Sequence, residues 1–151
     1  MPDFVKSVFI HAPVETVFAF HEREDAFQLL SPPFPPMRVI NRDGGIETGA
    51  RVELRIGGIP WTARHTAFAR NRCFEDRQIA GPFEEWIHRH EFERAGSGTR
   101  LTDRVHFRLP GGNWSNRLFG LAVKIALTPM FRHRHAVTKL YCEGETGGDR
   151  G

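Results

Sequence analysis

Cysteine is scarce in this sequence of 151 residues, and the two that occur argue against several kinds of site. Cys73 and Cys142 lie far apart and form no Cys-x-x-Cys pair, so zinc ribbons and thioredoxin-like redox centres are not expected. The first 20 residues carry charges at Asp3, Lys6 and Glu15 and no long apolar run, so no secretory leader is expected. Two thiols without a leader are typical of a reducing compartment, which predicts a cytoplasmic protein.

Long apolar runs and blocks of like charge are also missing. The longest apolar stretch, 118–131, contains Lys124 and Pro129, and its 14 residues are too few to span a bilayer. The 18 acidic residues are interleaved among 21 basic ones, and the net charge is only +3, so no segment resembles a nucleic-acid-binding arm. We therefore expect no integral membrane segment and no nucleic-acid partner.

Common catalytic and phosphate-binding motifs are absent as well. No serine lies in a Gly-x-Ser-x-Gly sequence, so serine hydrolase chemistry has no support. The glycine pairs at 44–45, 57–58 and 111–112 match neither a P-loop nor a dinucleotide-binding fingerprint. We expect these pairs to form turns.

The composition that remains is that of a globular protein, with 40% hydrophobic and 26% charged residues. The chain is long enough to bury a core without disulfides or metals. Its length predicts a single domain, which we place at residues 1–143. Residues 144–151 are polar and rich in glycine, and they are predicted to form a flexible tail.

Hydrophobic periodicity and turn signals predict a strand, two short helices, six further strands and a long C-terminal helix. The strands are placed at 4–11, 37–42, 50–56, 61–69, 74–79, 84–93 and 99–109, and short turns between the last six predict an antiparallel meander. The long helix is placed at 114–141, and its apolar face is predicted to contain Phe119, Val123, Ala126, Met130, His133, Val137 and Leu140.

This C-terminal helix admits two placements. Its apolar run is followed by the basic cluster 132–135, which is compatible with a helix on a membrane surface. Basic residues late in a helix also suit its dipole. We expect the helix to be buried against the sheet, with its C-terminal half solvated.

Several segments resemble a known superfamily. Residues 9–18, Phe-Ile-His-Ala-Pro-Val-Glu-Thr-Val-Phe, are similar to the first strand and helix of the START-like, Bet v 1-like helix-grip (SRPBCC) proteins. Residues 59–61, 76–82, 86–92, 98–99, 103–105 and 109–110 resemble a bacterial cyclase/dehydrase-like, ligand-binding subgroup of it. The resemblance implies an α+β helix-grip fold, a curved antiparallel sheet of about seven strands wrapped around the long C-terminal helix. This superfamily includes lipid carriers, hormone receptors and polyketide cyclases, so the fold alone does not assign a function.

Alternation along the strands places polar side chains on the face that should look toward the helix. In the sixth strand, Trp86, His88 and His90 share that face with Phe92. In the seventh strand, the carboxylate of Asp103 shares this face with the apolar side chains of Leu101, Val105 and Phe107. The residues expected on this inner face from the other strands are Trp61, His65, Phe74, Asp76 and Gln78.

Three interpretations of these polar groups are open. They form a satisfied internal network of hydrogen bonds, or they line the polar end of a ligand cavity, and these two do not exclude each other. A third is a metal site, because His88 and His90 project from the same side of one strand and a carboxylate with His65 would complete it. The resembling superfamily usually holds no metal, so neither metal nor cofactor is expected.

We predict a binding protein for a small hydrophobic molecule that is lipid-like, aromatic or polyketide-like. The alternative is a cyclase or dehydratase in which His88 or His90 transfers protons with Asp103. We favour the binding protein over the enzyme. The chain is expected to be a monomer or homodimer. The ligand-binding residues are predicted to be Trp61, His65, Asp76, Gln78, Trp86, His88, His90, Asp103, Val105, Phe107, Leu121 and Ile125, with Phe18 and Phe92 adding to the apolar wall.

Overall fold

The structure is a computed structural model that describes residues 3–147. It confirms the expected α+β helix-grip fold. The strands are β1 (Asp3–Ile10), β2 (Met37–Asp43), β3 (Arg51–Ile56), β4 (Ile59–Ala69), β5 (Cys73–Ala80), β6 (Glu85–Ala95) and β7 (Gly98–Arg108), and the helices are α1 (Val14–Glu22), α2 (Ala26–Leu30) and α3 (Asn113–Gly147).

The seven strands form one antiparallel sheet in the order β1-β7-β6-β5-β4-β3-β2. The turn between β3 and β4 uses Gly57 and Gly58 at φ values of 57° and 86°, which glycine adopts without steric cost. At Gly98 a Cβ atom would lie 2.5 Å from the carbonyl oxygen of Ile10, so glycine allows β7 to start close against the end of β1. The meander predicted from the turn signals is confirmed.

The buried side chains form two clusters on the inner side of the sheet. One surrounds α1, where Phe18 packs on Phe92 of β6 with ring centroids 5.0 Å apart. The other lies under the middle of α3, where Phe131 packs on Phe4 of β1 at 5.2 Å and joins Phe107 of β7. The two clusters place α1 and α3 over the concave face of the sheet.

The predicted apolar face of α3 is right only in part. Val123, Met130 and Val137 pack against the core clusters, but the pattern omitted His135 and Thr138, and both are buried. Thr138 donates to the carbonyl oxygen of Arg134, and Nε2 of His135 donates to Asp103 of β7, while Nδ1 of His135 is buried without a partner among the described residues. The side chains that α3 buries most deeply over its second half, taken here from residue 127 onward, are Leu127, Phe131, His135, Thr138 and Cys142.

Burial along α3 contradicts the expectation that its C-terminal half is the solvated one, because that half is buried and the first half carries the exposed side chains. Trp114, Leu118, Leu121 and Ile125 are between 63% and 68% exposed, and their spacing of four, three and four places them on one outward face. Leu121 and Ile125 were expected in the cavity wall, and this outward face explains why they do not reach it. Within residues 3–147, no helix is both long and apolar enough to cross a membrane.

The end of α3 also differs from the expectation. The helix continues through Pro129 and extends to Gly147 instead of ending near Tyr141. The predicted flexible tail, 144–151, therefore overlaps its last turn, and residues 148–151 lie outside the described part of the chain.

Candidate functional site

The centre of the candidate site is the carboxylate of Asp103, which is only 3% exposed. Nε2 of His88 donates to its Oδ1 over 2.8 Å, and Nδ1 of His90 lies 2.9 Å from the same oxygen. Nε2 of His135 donates to Oδ2 over 2.6 Å. Burial by itself would raise the pKa of Asp103, but the three imidazoles outweigh it and hold the pKa well below its usual value.

Strand register explains why these groups meet. His90 of β6 is directly opposite Asp103 of β7, and His88 is two residues earlier on the same face. His135 reaches the carboxylate from α3, one turn after the buried Phe131. The polar cluster thus connects two strands to the helix across the interior.

A second carboxylate, Asp76 of β5, lies on the other side of the histidine pair. It is opposite His88 in the sheet, and its Oδ2 lies 3.7 Å from Nε2 of His90. Burial lowers the pKa of His90, but Asp103 and Asp76 together outweigh burial and raise it. Phe74 stacks on the same ring with centroids 3.9 Å apart. His90 is therefore held between two carboxylates as the group in the cluster that favours a positive charge.

Three neighbouring imidazoles, those of His21, His65 and His88, instead have lowered pKa values and favour the neutral form. Burial and the charge on His90 together lower the pKa of His21 to about 3. The Nδ1–H of His21 donates to the carbonyl oxygen of Val17 over 2.8 Å. Burial also lowers the pKa of His65 and of His88. These three rings are neutral at pH 7 and can accept or donate hydrogen bonds.

A pocket of about 430 Å³ opens beside this cluster, between the sheet, α2 and α3. Trp61, Phe83 and Trp86 pack edge to face or tilted at its apolar end. Val123, Leu127, Met130 and Phe131 form the wall contributed by α3. The polar and charged residues of the lining are His21, Arg42, His65, Asp76, His88, His90 and Arg134.

The structure brings together six of the predicted site residues on the pocket wall, namely Trp61, His65, Asp76, Trp86, His88 and His90. Asp103 lies behind them as the hydrogen-bond partner of two lining imidazoles. Val105 and Phe107 are buried in the core under α3, at 1% and 0% exposure. The period of two along the strands predicted all of these positions correctly as inward facing.

The other predicted residues are elsewhere. The side-chain amide of Gln78 donates to the carbonyl oxygen of Phe83 and accepts from its backbone N–H, so it closes the loop between β5 and β6. Phe18 and Phe92 lie in the core cluster around α1. Leu121 and Ile125 are on the exposed face of α3.

Sequence reasoning missed His21, Arg134 and His135. Residues two apart on a helix point in different directions, so of His133 and His135 one can face inward. The helical spacing of Phe131, His135, Thr138 and Cys142 was a signal that could have found it.

Three of the lining residues could hold a metal ion. Asp76, His88 and His90 offer ligand atoms that all lie within 4.8 Å of one another. Asp103 is bonded to one nitrogen of each imidazole, as carboxylates near metal sites are when they orient a ligating histidine. The expectation of no metal stays a prediction, which elemental analysis of the purified protein can test.

Comparison with known proteins identifies the family. Residues 10–136 match the family described as polyketide cyclase/dehydrase and lipid transport. The chain belongs to this family. The predicted resemblance to START-like and cyclase/dehydrase-like proteins is thereby confirmed. No curated protein matches the sequence significantly.

Solved structures with the same fold come from several kinds of protein. A nucleoside-diphosphate sugar epimerase from Corynebacterium glutamicum is 29% identical with a TM-score of 0.73, over 90% of this chain and 28% of that one. This chain thus spans little more than a quarter of the length of the epimerase. A START superfamily protein from Mycobacterium smegmatis is 17% identical (TM-score 0.66, 94% and 97% covered). The di-domain ARO/CYC StfQ of the steffimycin biosynthetic pathway is 11% identical (TM-score 0.74, 97% and 52% covered). The last two likenesses show the fold alone.

Proposed function

We propose that this chain binds a small, largely hydrophobic molecule, lipid-like, aromatic or polyketide-like, in the pocket between the sheet and α3. The observation behind the proposal is the asymmetry of the pocket lining. Aromatic and aliphatic side chains such as Trp61, Trp86 and Met130 form one part, and the histidines with Asp76 form the other. Ligand sites commonly combine apolar walls with a few polar groups that fix orientation, and 430 Å³ is within their usual range.

The polar part suits a ligand oxygen. Burial lowers the pKa of His65 and His88, which favours their neutral forms. Neutral His65 can pair with a carbonyl or hydroxyl group, whereas His88, whose Nε2 donates to Asp103, can accept from a hydroxyl group through Nδ1. Nδ1 of His65 is inaccessible and has no hydrogen-bond partner among the described residues, so Nε2 is the ring nitrogen available to a ligand in the pocket.

A binding experiment with matched variants tests the proposal. The uncharged fluorescent probe N-phenyl-1-naphthylamine should bind saturably to the wild-type protein. Ala126 lines the pocket and Ala122 is exposed one turn earlier on α3, so Ala126→Trp should fill the site and Ala122→Trp should not. We expect the first variant to weaken binding at least about tenfold, which is about 1.4 kcal/mol, and the second to leave it unchanged.

Two results would contradict the proposal. One is the absence of saturable binding by the wild-type protein. The other is an equal loss in both tryptophan variants, which would place the probe outside the pocket. Native mass spectrometry of the freshly purified protein gives an independent measurement, since a co-purified small molecule should appear as an added mass that Ala126→Trp removes.

The second candidate function is an enzyme of the cyclase or dehydratase kind. His88 favours it, because its ring lines the pocket while its Nε2 is bonded to the buried Asp103. In a general acid–base enzyme, Asp103→Asn and His88→Ala should lower turnover by about 10²–10⁴-fold, far more than they weaken binding. We expect instead that a co-purified molecule returns unchanged in mass after incubation with the protein. Conversion that either substitution abolishes would decide for the enzyme.

A cytoplasmic location, a monomeric or homodimeric state and the absence of a nucleic-acid partner remain predictions. Sedimentation velocity of the purified chain would measure its oligomeric state directly.

A further inference from the structure

Two arginines line the pocket, and they differ in their hydrogen bonding. Nε of Arg42 donates to the carbonyl oxygen of Gly44 over 3.1 Å, and its Nη1 donates to that of Glu24 over 3.0 Å. The guanidinium of Arg134 instead lies over the ring of Phe131, 5.7 Å from its centroid. Among residues 3–144 it makes neither a salt bridge nor a hydrogen bond. Arg134 thus offers five N–H donors with no acceptor bonded to them.

This lack of a partner is unusual for the position. The side chain of Arg134 is largely buried, and buried charges in proteins are normally paired. The two nearby carboxylates are already engaged, since Asp103 is bonded to three imidazoles and Asp76 is closest to His90. Neither lies within salt-bridge distance of the guanidinium. The fixed charges of the pocket wall itself are two guanidinium groups and a single carboxylate.

We propose that Arg134 is an anion-binding subsite, so that the bound molecule carries a carboxylate at one end of its hydrophobic body. This inference rests on the proposed binding function and names the class of ligand that the same pocket takes. A guanidinium matches a carboxylate with two parallel hydrogen bonds, and such charge-assisted pairs are stronger than neutral ones. The carboxylate lies at the polar part of the pocket, next to His21, whose pKa the charge of Arg134 helps to lower.

The neighbouring groups fit this assignment. Neutral His65 can donate a hydrogen bond to a carboxylate oxygen that Arg134 leaves free. The apolar body of the ligand extends toward Trp61 and Trp86, which form the opposite part of the lining. The tryptophans also provide a fluorescence signal for binding.

The test compares two probes of the same size and different charge. Naphthalene-2-carboxylate is an anion at neutral pH, and naphthalene-2-methanol is uncharged. We expect the wild-type protein to bind the carboxylate at least about tenfold more tightly, a difference of about 1.4 kcal/mol. Arg134→Met should abolish this preference, because it should weaken binding of the carboxylate far more than binding of the alcohol. Arg132→Met, which removes an exposed guanidinium two residues earlier on α3, is the matched control and should change neither affinity.

The outcomes separate this inference from the function on which it rests. If the alcohol binds but the carboxylate is not preferred, or if Arg134→Met weakens both probes equally, the anion subsite is wrong and the binding function stands. If neither probe binds the wild-type protein, both are wrong. Arg134→Lys covers the case in which the methionine variant fails to fold, because it keeps the charge and loses the planar pair of donors. It should retain a preference for the carboxylate that is smaller than that of the wild type.

Discussion

The first half of α3 carries its large apolar side chains on the exposed side, whereas the second half buries them. Trp114 and Leu118 are 63% and 65% exposed, while Phe131 and Leu127 are 2% and 6% exposed. Both halves have an apolar stripe, so hydrophobicity does not account for the difference. The second half packs on Phe4, Val105 and Phe107 of the sheet through buried side chains, whereas the first half reaches this cluster with the partly buried Val123. Burial in this helix is decided by which side chains the sheet presents beneath it.

The largest effect should come from removing an aromatic ring of the buried half. Phe131 contacts Phe4 and His88 with ring centroids 5.2 and 5.1 Å apart, so Phe131→Ala leaves a cavity in the core. We expect it to lower the free energy of unfolding by about 3–5 kcal/mol. Phe119→Ala in the first half should cost about 1 kcal/mol or less, because half of that side chain is already in water. Urea unfolding of both variants measures the difference, and similar losses would contradict the comparison.

The next effect concerns the polar contact that docks the buried half. Asp103→Asn removes the charge that accepts hydrogen bonds from His88 and His135 and neutralises His90. The amide keeps a single acceptor oxygen, so at least one buried imidazole loses its partner, at a cost of about 1–3 kcal/mol. Asp43→Asn, at an exposed position at the end of β2, is the matched control and should be neutral.

A double-variant cycle shows whether the loss of stability in Asp103→Asn comes from the hydrogen bond between Asp103 and His135 of α3. Asp103→Asn combined with His135→Ala should destabilise the protein by less than the sum of the two single changes, since the two side chains are bonded directly. Additive losses would mean that His135 and Asp103 contribute independently, and the helix would then be held by its apolar side chains alone.

A smaller effect should appear in how the free energy of unfolding depends on pH, because this region contains buried histidines. The pKa of His21 falls from its usual 6.5 to about 3 in the folded chain, because the ring is buried. The unfolded chain therefore binds more protons below pH 6.5, and stability should decrease on acidification from that pH. His65 and His88 act in the same direction. His90, whose pKa is raised, stabilises fully below pH 6.5 and loses its contribution as pH rises through its folded value.

Urea unfolding between pH 6.5 and about pH 4.5 isolates the histidines, because most carboxylates of the unfolded chain are still ionised there. His21→Leu should reduce the slope of stability against pH by about 1.4 kcal/mol per pH unit, the value for one proton. The exposed His11→Gln should leave the slope unchanged. An unaltered slope in His21→Leu would mean that His21 is protonated in the folded protein.

The sequence predicted the strands and their inner faces better than the helix. Side chains alternate strictly along a strand, so one correct assignment in β6, Trp86 or His88, fixes every neighbour. On α3 the predicted face included Val123, Met130 and Val137, which pack inward, but it omitted the buried His135 and Thr138. Arg134 could not be recognised from the sequence, as its lack of a partner is a property of the assembled pocket. The contribution of α1 through His21 depends likewise on packing between elements distant in sequence.

The smallest effect should come from the exposed face of α3, and it tests the comparison most directly. Leu121 and Ile125 are 68% and 64% exposed, so replacing each with serine removes little buried surface. We expect Leu121→Ser and Ile125→Ser each to change the free energy of unfolding by about 0.5 kcal/mol or less. Probe binding should also be unchanged, because neither side chain lines the pocket. If this face instead packs against a second copy of the chain, both substitutions should make stability depend less on protein concentration, and sedimentation velocity should show a smaller particle. A loss of several kcal/mol without that concentration dependence would mean that the first half of α3 is buried against its own sheet, as the hydrophobic pattern alone had predicted.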